Sequence, residues 1–536
     1  MNISEFEKFL TKSSVSIIEG GKTVLDSYIF IPKSRLDSSA NRLNSTWIRA
    51  QFIILNEPQT REEILADLNK WKNLSIHDDQ FFLVNSNDDG WEIYNHNGDK
   101  IGNEEYVLKL FSESPNLKQG DVTETLMLIR AMRTKPFLLL AGISGTGKSR
   151  IVKQMAFDSC PNNNVLRSDP TSPGNYCLIE VKPNWHDSTE LLGYESKING
   201  NTYQLTHFVK FLAKAMLYPD VPFFVCLDEM NLAPVEQYFA EFLSVLESRM
   251  KLKNGHIISE PLIKSSIFTD YEEKISKTLF DKENYEIRSE ITTDELRRIT
   301  NVDRVLNKNA RKVYDDLKEH GLRIPENVIV IGTVNMDETT HQFSRKVIDR
   351  AMTIEMNLPE GKDADGNDKN PFIDFFTKAS ELEYRVNPIS SSLYLATETK
   401  ASDVIKVLAT DNAVKTEWLK AEVAKVLTDI NSALESTPFK VAYRVQNELL
   451  LYFYQLISEI PKSERTNADW ESLLRTATDQ ILMMKVLPRV EGDNELLKDP
   501  LKSLISFCEG KYPNASKKLK EINDRFEWSQ FTSFWP

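Results

Sequence analysis

Residues 142 to 149 read Gly142-Ile-Ser-Gly145-Thr-Gly147-Lys148-Ser149. Glycines at this spacing let backbone N–H groups close around an anion, and a helix that begins just beyond adds the partial positive charge of its N-terminus. The spacing G-x-x-x-x-G-K-S is that of a phosphate loop. In such a loop Gly142, Ser144, Gly145, Thr146, Gly147, Lys148 and Ser149 surround the phosphates of a nucleotide. Lys148 reaches the β- and γ-phosphates, and the Ser149 hydroxyl ligates Mg²⁺. The flanks fit this reading. Pro136-Phe-Leu-Leu-Leu-Ala141 is an apolar run suited to a buried strand, and Arg150-Ile-Val-Lys-Gln-Met-Ala-Phe157 reads as a helix. A chance glycine-rich turn would not be framed by both.

Two further strand ends carry chemistry. Phe223-Phe-Val-Cys-Leu-Asp228-Glu229 is an apolar strand ending in adjacent carboxylates. In a Walker B arrangement Asp228 holds the Mg²⁺ shell and Glu229 polarises the attacking water as general base. Neighbours on a strand point to opposite faces, so the pair requires the strand end to turn. Asn327-Val-Ile-Val-Ile-Gly-Thr-Val-Asn335 ends in an amide that suits a sensor of the γ-phosphate or of the water. The alternative is a turn-forming Asn. Downstream, Asp349-Arg350 offers a guanidinium. A neighbouring subunit can insert such a group to stabilise phosphoryl transfer, and an intramolecular ion pair is the alternative. Asp169, Glu180 and Lys182 loosely follow the D…E-x-K layout of metal-dependent nucleases. Cys177-Leu-Ile-Glu-Val181 equally suits the next strand of the nucleotide-binding sheet, and that reading is preferred.

These residues need a parallel α/β sheet to hold them, and the chain alternates apolar strands with helices accordingly. Its 536 residues suffice for about three domains at ~150 each. With 41% hydrophobic and 27% charged residues it has the composition of a globular protein with a sizeable core. No apolar run approaches the ~20 residues of a membrane span. The first residues, Met1-Asn-Ile-Ser-Glu-Phe-Glu7, lack a basic start and an apolar core, so no signal peptide is expected. Cys160, Cys177, Cys226 and Cys508 show no C-x-x-C spacing and are expected to be free thiols in a reducing cytoplasm. The net charge of -13 shows no bulk nucleic-acid surface. Local basic patches or a pore shared by several subunits stay open.

Residues 1–115 are expected to form a small α+β recognition or interaction domain. Strands are expected at Ser27-Tyr-Ile-Phe-Ile31 and Trp47-Ile-Arg-Ala-Gln-Phe-Ile-Ile-Leu55. A capped helix is expected after Thr60, and then a hairpin from Phe81-Phe-Leu-Val84 to Trp91-Glu-Ile-Tyr94. Helix plus hairpin weakly resembles a winged helix, and a generic α+β module is preferred. Residues 116–365 carry the nucleotide chemistry, with a charged, largely helical insertion at about 251–325. Residues 361–368 read as an exposed loop. Residues 366–495 show helical periodicity, and 496–536 form a helical, aromatic tail that is expected to pack.

Together these residues resemble an AAA+ ATPase of the McrB type, over roughly residues 120 to 495. The resemblance rests on the phosphate loop, on Asn184-Trp-His-Asp-Ser-Thr-Glu-Leu-Leu-Gly-Tyr194, on Leu227-Asp-Glu-Met-Asn-Leu-Ala-Pro-Val-Glu-Gln-Tyr238 and on Gly332-Thr-Val-Asn-Met-Asp-Glu-Thr-Thr-His341. It implies a P-loop AAA+ core with a helical C-terminal lid, a ring that is usually hexameric, and nucleotide between subunits. It implies Asp228 and Glu229 as Walker B acids, Asn335 as sensor 1, Arg350 in the arginine-finger region, and Arg444 of Ala442-Tyr-Arg444 as a second sensor on the nucleotide. Hydrolysis of Mg-ATP or Mg-GTP would drive a separate McrC-like nuclease subunit in defence against phage or foreign DNA, with DNA as a candidate partner. Where the best-known members read Asn-Thr-Ala-Asp-Arg, this chain reads Asn335-Met-Asp-Glu-Thr339, so the base stays open. Two other readings remain: a nucleotide-gated remodeller or scaffold acting on protein, and a self-contained nuclease using Asp169, Glu180 and Lys182.

Overall fold

The structure is a computed structural model. It describes residues 13–18, 22–29, 48–55, 80–86, 90–94, 122–198, 202–280, 285–287, 304–336, 343–356, 382–385, 388–460, 462 and 465–535.

The first five strands, β1 (Ser13–Ile18), β2 (Lys22–Ile29), β3 (Ile48–Leu55), β4 (Gln80–Ser86) and β5 (Gly90–Tyr94), form one sheet in that order. The expected hairpin is present, with Ser86 opposite Gly90 across an antiparallel pair. β3 and β4 run parallel. Parallel neighbours need a connection of a dozen or more residues, and the sequence between β3 and β4, 56–79, is long enough for one. The helix expected after Thr60 falls in that connection, outside the described residues.

The second sheet positions the site. Its strands are β6 (Phe137–Gly142), β7 (Tyr176–Glu180), β8 (Phe223–Asp228), β9 (Val328–Asn335) and β10 (Met352–Glu355). They lie in the order β10-β6-β9-β8-β7, and all four pairings are parallel. This is the expected α/β architecture. A parallel sheet is covered on both faces, so its strands read as continuous apolar runs instead of alternating ones. The side chains divide by the two-residue period. Leu138, Leu140, Phe224, Cys226, Ile329, Ile331, Met352 and Ile354 enter one core. Phe137, Leu139, Ala141, Phe223, Val225, Leu227, Val328, Val330 and Val334 enter the other.

Helices α1 (Val122–Thr134) and α2 (Lys148–Ser159) contribute to the first core, which continues into the C-terminal helices. These are α7 (Ala401–Asp411), α8 (Ala413–Ala433), α9 (Tyr443–Ser458), α10 (Asn467–Ile481), α11 (Asn494–Cys508) and α12 (Pro513–Ser529). α9 packs on α1, while α11 and α12 pack on α8 and α10. The aromatic tail joins the same core through Phe526 and Phe534, which are buried, while Trp528 is exposed.

The other face carries α3 (His207–Leu217), α4 (Ala240–Glu247) and α5 (Lys308–His320). α5 belongs to the expected insertion. It buries Ala310, Tyr314 and Leu317 and turns its charged face outward. The insertion is stitched back where Pro261–Ile263 pairs with Leu322–Arg323. The loop expected at 361–368 lies outside the described residues. All four cysteines are free and buried. Burial pushes the Cys177, Cys226 and Cys508 thiols up to about 12, so none is a thiolate near neutral pH. Among the described residues no helix is long and apolar enough to cross a membrane.

Candidate active site

Three strand ends meet at the carboxyl edge of the second sheet. β6 ends at Gly142, with Asn335 of β9 directly opposite. β8, on the other side of β9, ends at Asp228. The phosphate loop leaves β6 through Gly142, whose φ is +156° and where a Cβ would sit 2.3 Å from the Met356 carbonyl oxygen. Only glycine fits there. The loop enters α2 through Gly147, left-handed at φ +86°. Ile143, Ser144 and Gly145 are exposed, so the loop's backbone faces open space.

Lys148 is buried, and its Nζ donates to the carbonyls of Gly142 at 3.1 Å and Ile143 at 2.7 Å. Loop oxygens thus hold the ammonium beneath the concave backbone. Ser149 Oγ donates to Asp228 Oδ1 at 2.5 Å. One hydroxyl and one carboxylate oxygen therefore converge on the point where a hard divalent cation takes oxygen ligands. The donor set fits Mg²⁺.

Glu229 lies just past the end of β8 and is left-handed, with φ 50° and ψ 51°. A non-glycine residue in this region costs roughly 1–3 kcal/mol and persists only where its surroundings hold it. The turn solves the problem of adjacent carboxylates: it frees Glu229 from the face opposite Asp228. Asn335 Nδ2 donates to Glu229 Oε1 at 2.8 Å, so the expected sensor amide and the expected base touch. The carbonyl of Asn335 accepts from Asn231 Nδ2 at 3.0 Å.

Two residues of this cluster were not read from the sequence. Thr333, 2% exposed, donates from its hydroxyl to Asp228 Oδ1 at 2.7 Å and accepts from the Glu229 N–H at 3.0 Å. A single hydroxyl thus sets both acids. The signal was a lone polar side chain inside the apolar run of β9. Asn231 is also buried, and its Oδ1 has no hydrogen-bond partner. Its signal, an amide three residues past Asp228, is too common to stand out.

Arg350 lies elsewhere. It follows the short helix α6 (Arg345–Ile348) and precedes β10, whose first residue Met352 is opposite Leu138. That is the amino edge of the sheet, away from Gly142. The intramolecular pair Asp349–Arg350 does not form. Arg350 Nη1 donates to its own turn at Lys346 O, 3.1 Å, and its buried Nε has no partner. Asp349 instead faces Arg489 at 3.2 Å and Arg444 at 3.8 Å.

Arg444, expected on the nucleotide, also stands at the amino edge. It reaches Glu247 at 3.1 Å and lines the same cavity as Pro136, the residue before β6. The structure does not bring it to the phosphate loop of its own chain. Burial opposes the charge on Glu247, but Lys135 and Arg444 outweigh it and hold the carboxyl below its usual range. Nearby, Lys485 is 1% exposed and donates to the carbonyls of Asp349 at 2.8 Å and Ala351 at 2.7 Å. It also forms an ion pair with Glu448 at 3.0 Å, without hydrogen-bond alignment. Lys485 therefore fastens the Arg350 turn to the C-terminal helices. Burial pushes its ammonium down to about 8, against the pull of Glu448.

The nuclease layout is not assembled. Asp169 Oδ1 accepts from the backbone N–H and hydroxyl of Thr171, both at 2.7 Å, in a turn before β7, whereas Glu180 ends that strand. Those two bonds hold the Asp169 carboxyl below its usual range. Among the described residues no group of three or more His, Cys, Asp or Glu side chains could hold a metal ion.

The family described as Domain of unknown function (DUF8727) matches residues 398–531. The match runs from just before α7 through α12, across the boundary near 495 expected from periodicity. No curated protein matches the chain.

Proposed function

We propose that the chain is an AAA+ nucleoside triphosphatase of the McrB type, which binds Mg-ATP or Mg-GTP at the phosphate loop and hydrolyses it. One observation carries the reading. Lys148, Ser149, Asp228, Glu229 and Asn335, far apart in sequence, gather at the carboxyl edge of three neighbouring parallel strands. Open α/β sheets bind ligands at that edge. Ser149 and Asp228 would hold Mg²⁺, which when bound neutralises charge on the β- and γ-phosphate oxygens. Glu229 would take the proton of the attacking water, with Asn335 fixing the carboxylate's direction. Lys148 would leave the loop carbonyls for the phosphates.

The strand order β10-β6-β9-β8-β7 and the all-parallel pairing support the AAA+ reading. Placement of Arg350 at the opposite edge supports a guanidinium that serves the nucleotide of a neighbouring subunit, hence a ring. Arg444, beside Asp349, belongs to the same edge. By the same resemblance the ring drives a McrC-like nuclease partner on DNA in antiviral defence. The test is turnover with and without double-stranded DNA. A DNA-stimulated rate is expected. Turnover indifferent to DNA would overturn the DNA motor and favour a remodeller acting on protein.

A further inference from the structure

A cavity of about 530 Å³ opens at the amino edge of the second sheet. The turn before β6 and the end of α4 form one wall, and the starts of α7 and α9 form the other. Three carboxylates line it, and each is already matched. Glu247 has Lys135 and Arg444, Glu448 has Lys135 and Lys485, and Glu398 has Lys251. Two lining cations, Arg249 and Lys400, have no ion pair among the described residues.

Arg249 is the more telling. It is 8% exposed, and its Nε has no hydrogen-bond partner. The acid whose field reaches it is Glu326, whose two oxygens are taken by His256 Nδ1 and the Ile257 N–H, both at 2.9 Å. On the facing wall the buried Thr399 Oγ1 also lacks a partner. Burying a guanidinium without a hydrogen-bonded anion is strongly unfavourable. Arg249 has no hydrogen-bonded anion, and the exposed Lys400 brings a second positive charge to the same lining, so a dianion could engage both where a single carboxylate would engage one. A phosphate monoester carries close to two negative charges near neutral pH. The guanidinium fork suits its oxygens. The volume falls in the roughly 300–1,000 Å³ range of small-molecule sites and exceeds the need of a bare anion. Tyr443, 88% exposed, lies on the lining and offers a ring face to a planar body.

We propose that this cavity binds a phosphate monoester, its phosphate against Arg249 and Lys400 and its body against Tyr443. The site is separate from the phosphate loop and does not depend on hydrolysis there. The test is calorimetric titration of the full chain carrying Lys148→Ala, so that the loop does not compete. The probes are adenosine monophosphate and inorganic phosphate.

Saturable binding of both is expected, with the monoester at least tenfold tighter. Arg249→Gln and, separately, Lys400→Glu should each weaken it at least tenfold. Lys400 is exposed, so its replacement leaves the fold intact, and Arg249→Gln removes an unpartnered charge and should not lower the thermal midpoint. No saturable binding of the monoester, or affinity unchanged in either variant, overturns the proposal. Inorganic phosphate bound while the monoester is excluded would also overturn it, leaving free phosphate as the ligand.

Discussion

Thr333 is the residue on which the two acids of the site depend. Its hydroxyl touches the Asp228 carboxylate and the Glu229 N–H at once. Thr333→Val keeps the shape and removes both bonds, leaving the part-buried Glu229 N–H without its acceptor and Asp228 without a donor. Such a loss costs about 1–3 kcal/mol. Denaturant unfolding should show that loss, and nucleotide turnover should fall with it. Unchanged stability and turnover would remove Thr333 from the site. The sequence named Lys148, Ser149, Asp228, Glu229 and Asn335 because each ends or follows an apolar strand. It could not name Thr333, whose role depends on β8 and β9 being neighbours. It also could not decide the state of Asp349 and Arg350. Adjacent opposite charges suggest a pair, while the partners of Asp349 come from positions 444 and 489.

At the scale of elements, continuous apolar runs made the parallel strands legible, and the glycine spacing fixed where β6 turns into α2. The docking of the C-terminal helices on one face of the sheet was not legible, since it rests on contacts across hundreds of residues. Lys485 is the clearest joint. Its ammonium is held by Glu448 and by the carbonyls of the Arg350 turn. Its ordinary value of 10.5 is pushed down to about 8 by burial. A base with a lowered folded value binds fewer protons when folded than when unfolded between those limits. Its contribution to stability is therefore fully present above about 10.5 and is lost as pH falls to about 8. Urea unfolding across that window should show the native chain gaining on Lys485→Met as pH rises. A constant difference would contradict the buried-charge account. At neutral pH, Lys485→Met should also loosen the Arg350 turn and slow turnover more than it weakens nucleotide binding.

For the whole molecule, the phosphate loop and Arg350 lie at opposite edges of one sheet, and in the proposed ring Arg350 would serve the phosphate loop of a neighbouring chain. Glu229→Gln and Arg350→Ala should each abolish turnover alone. Mixed, they should recover part of it, because an intact loop from one meets an intact guanidinium from the other. No recovery in an assembled mixture would confine each site to a single chain. The proposed activity itself is nucleotide hydrolysis at the cluster around Ser149 and Asp228. The most direct measurement is Mg²⁺-dependent turnover of ATP and GTP by the native chain and by Glu229→Gln, with nucleotide binding measured on both. Equal binding, with turnover lowered about 10²–10⁴-fold in the variant, is the predicted result. Turnover that survives the substitution, or a native chain that binds neither nucleotide, would contradict it.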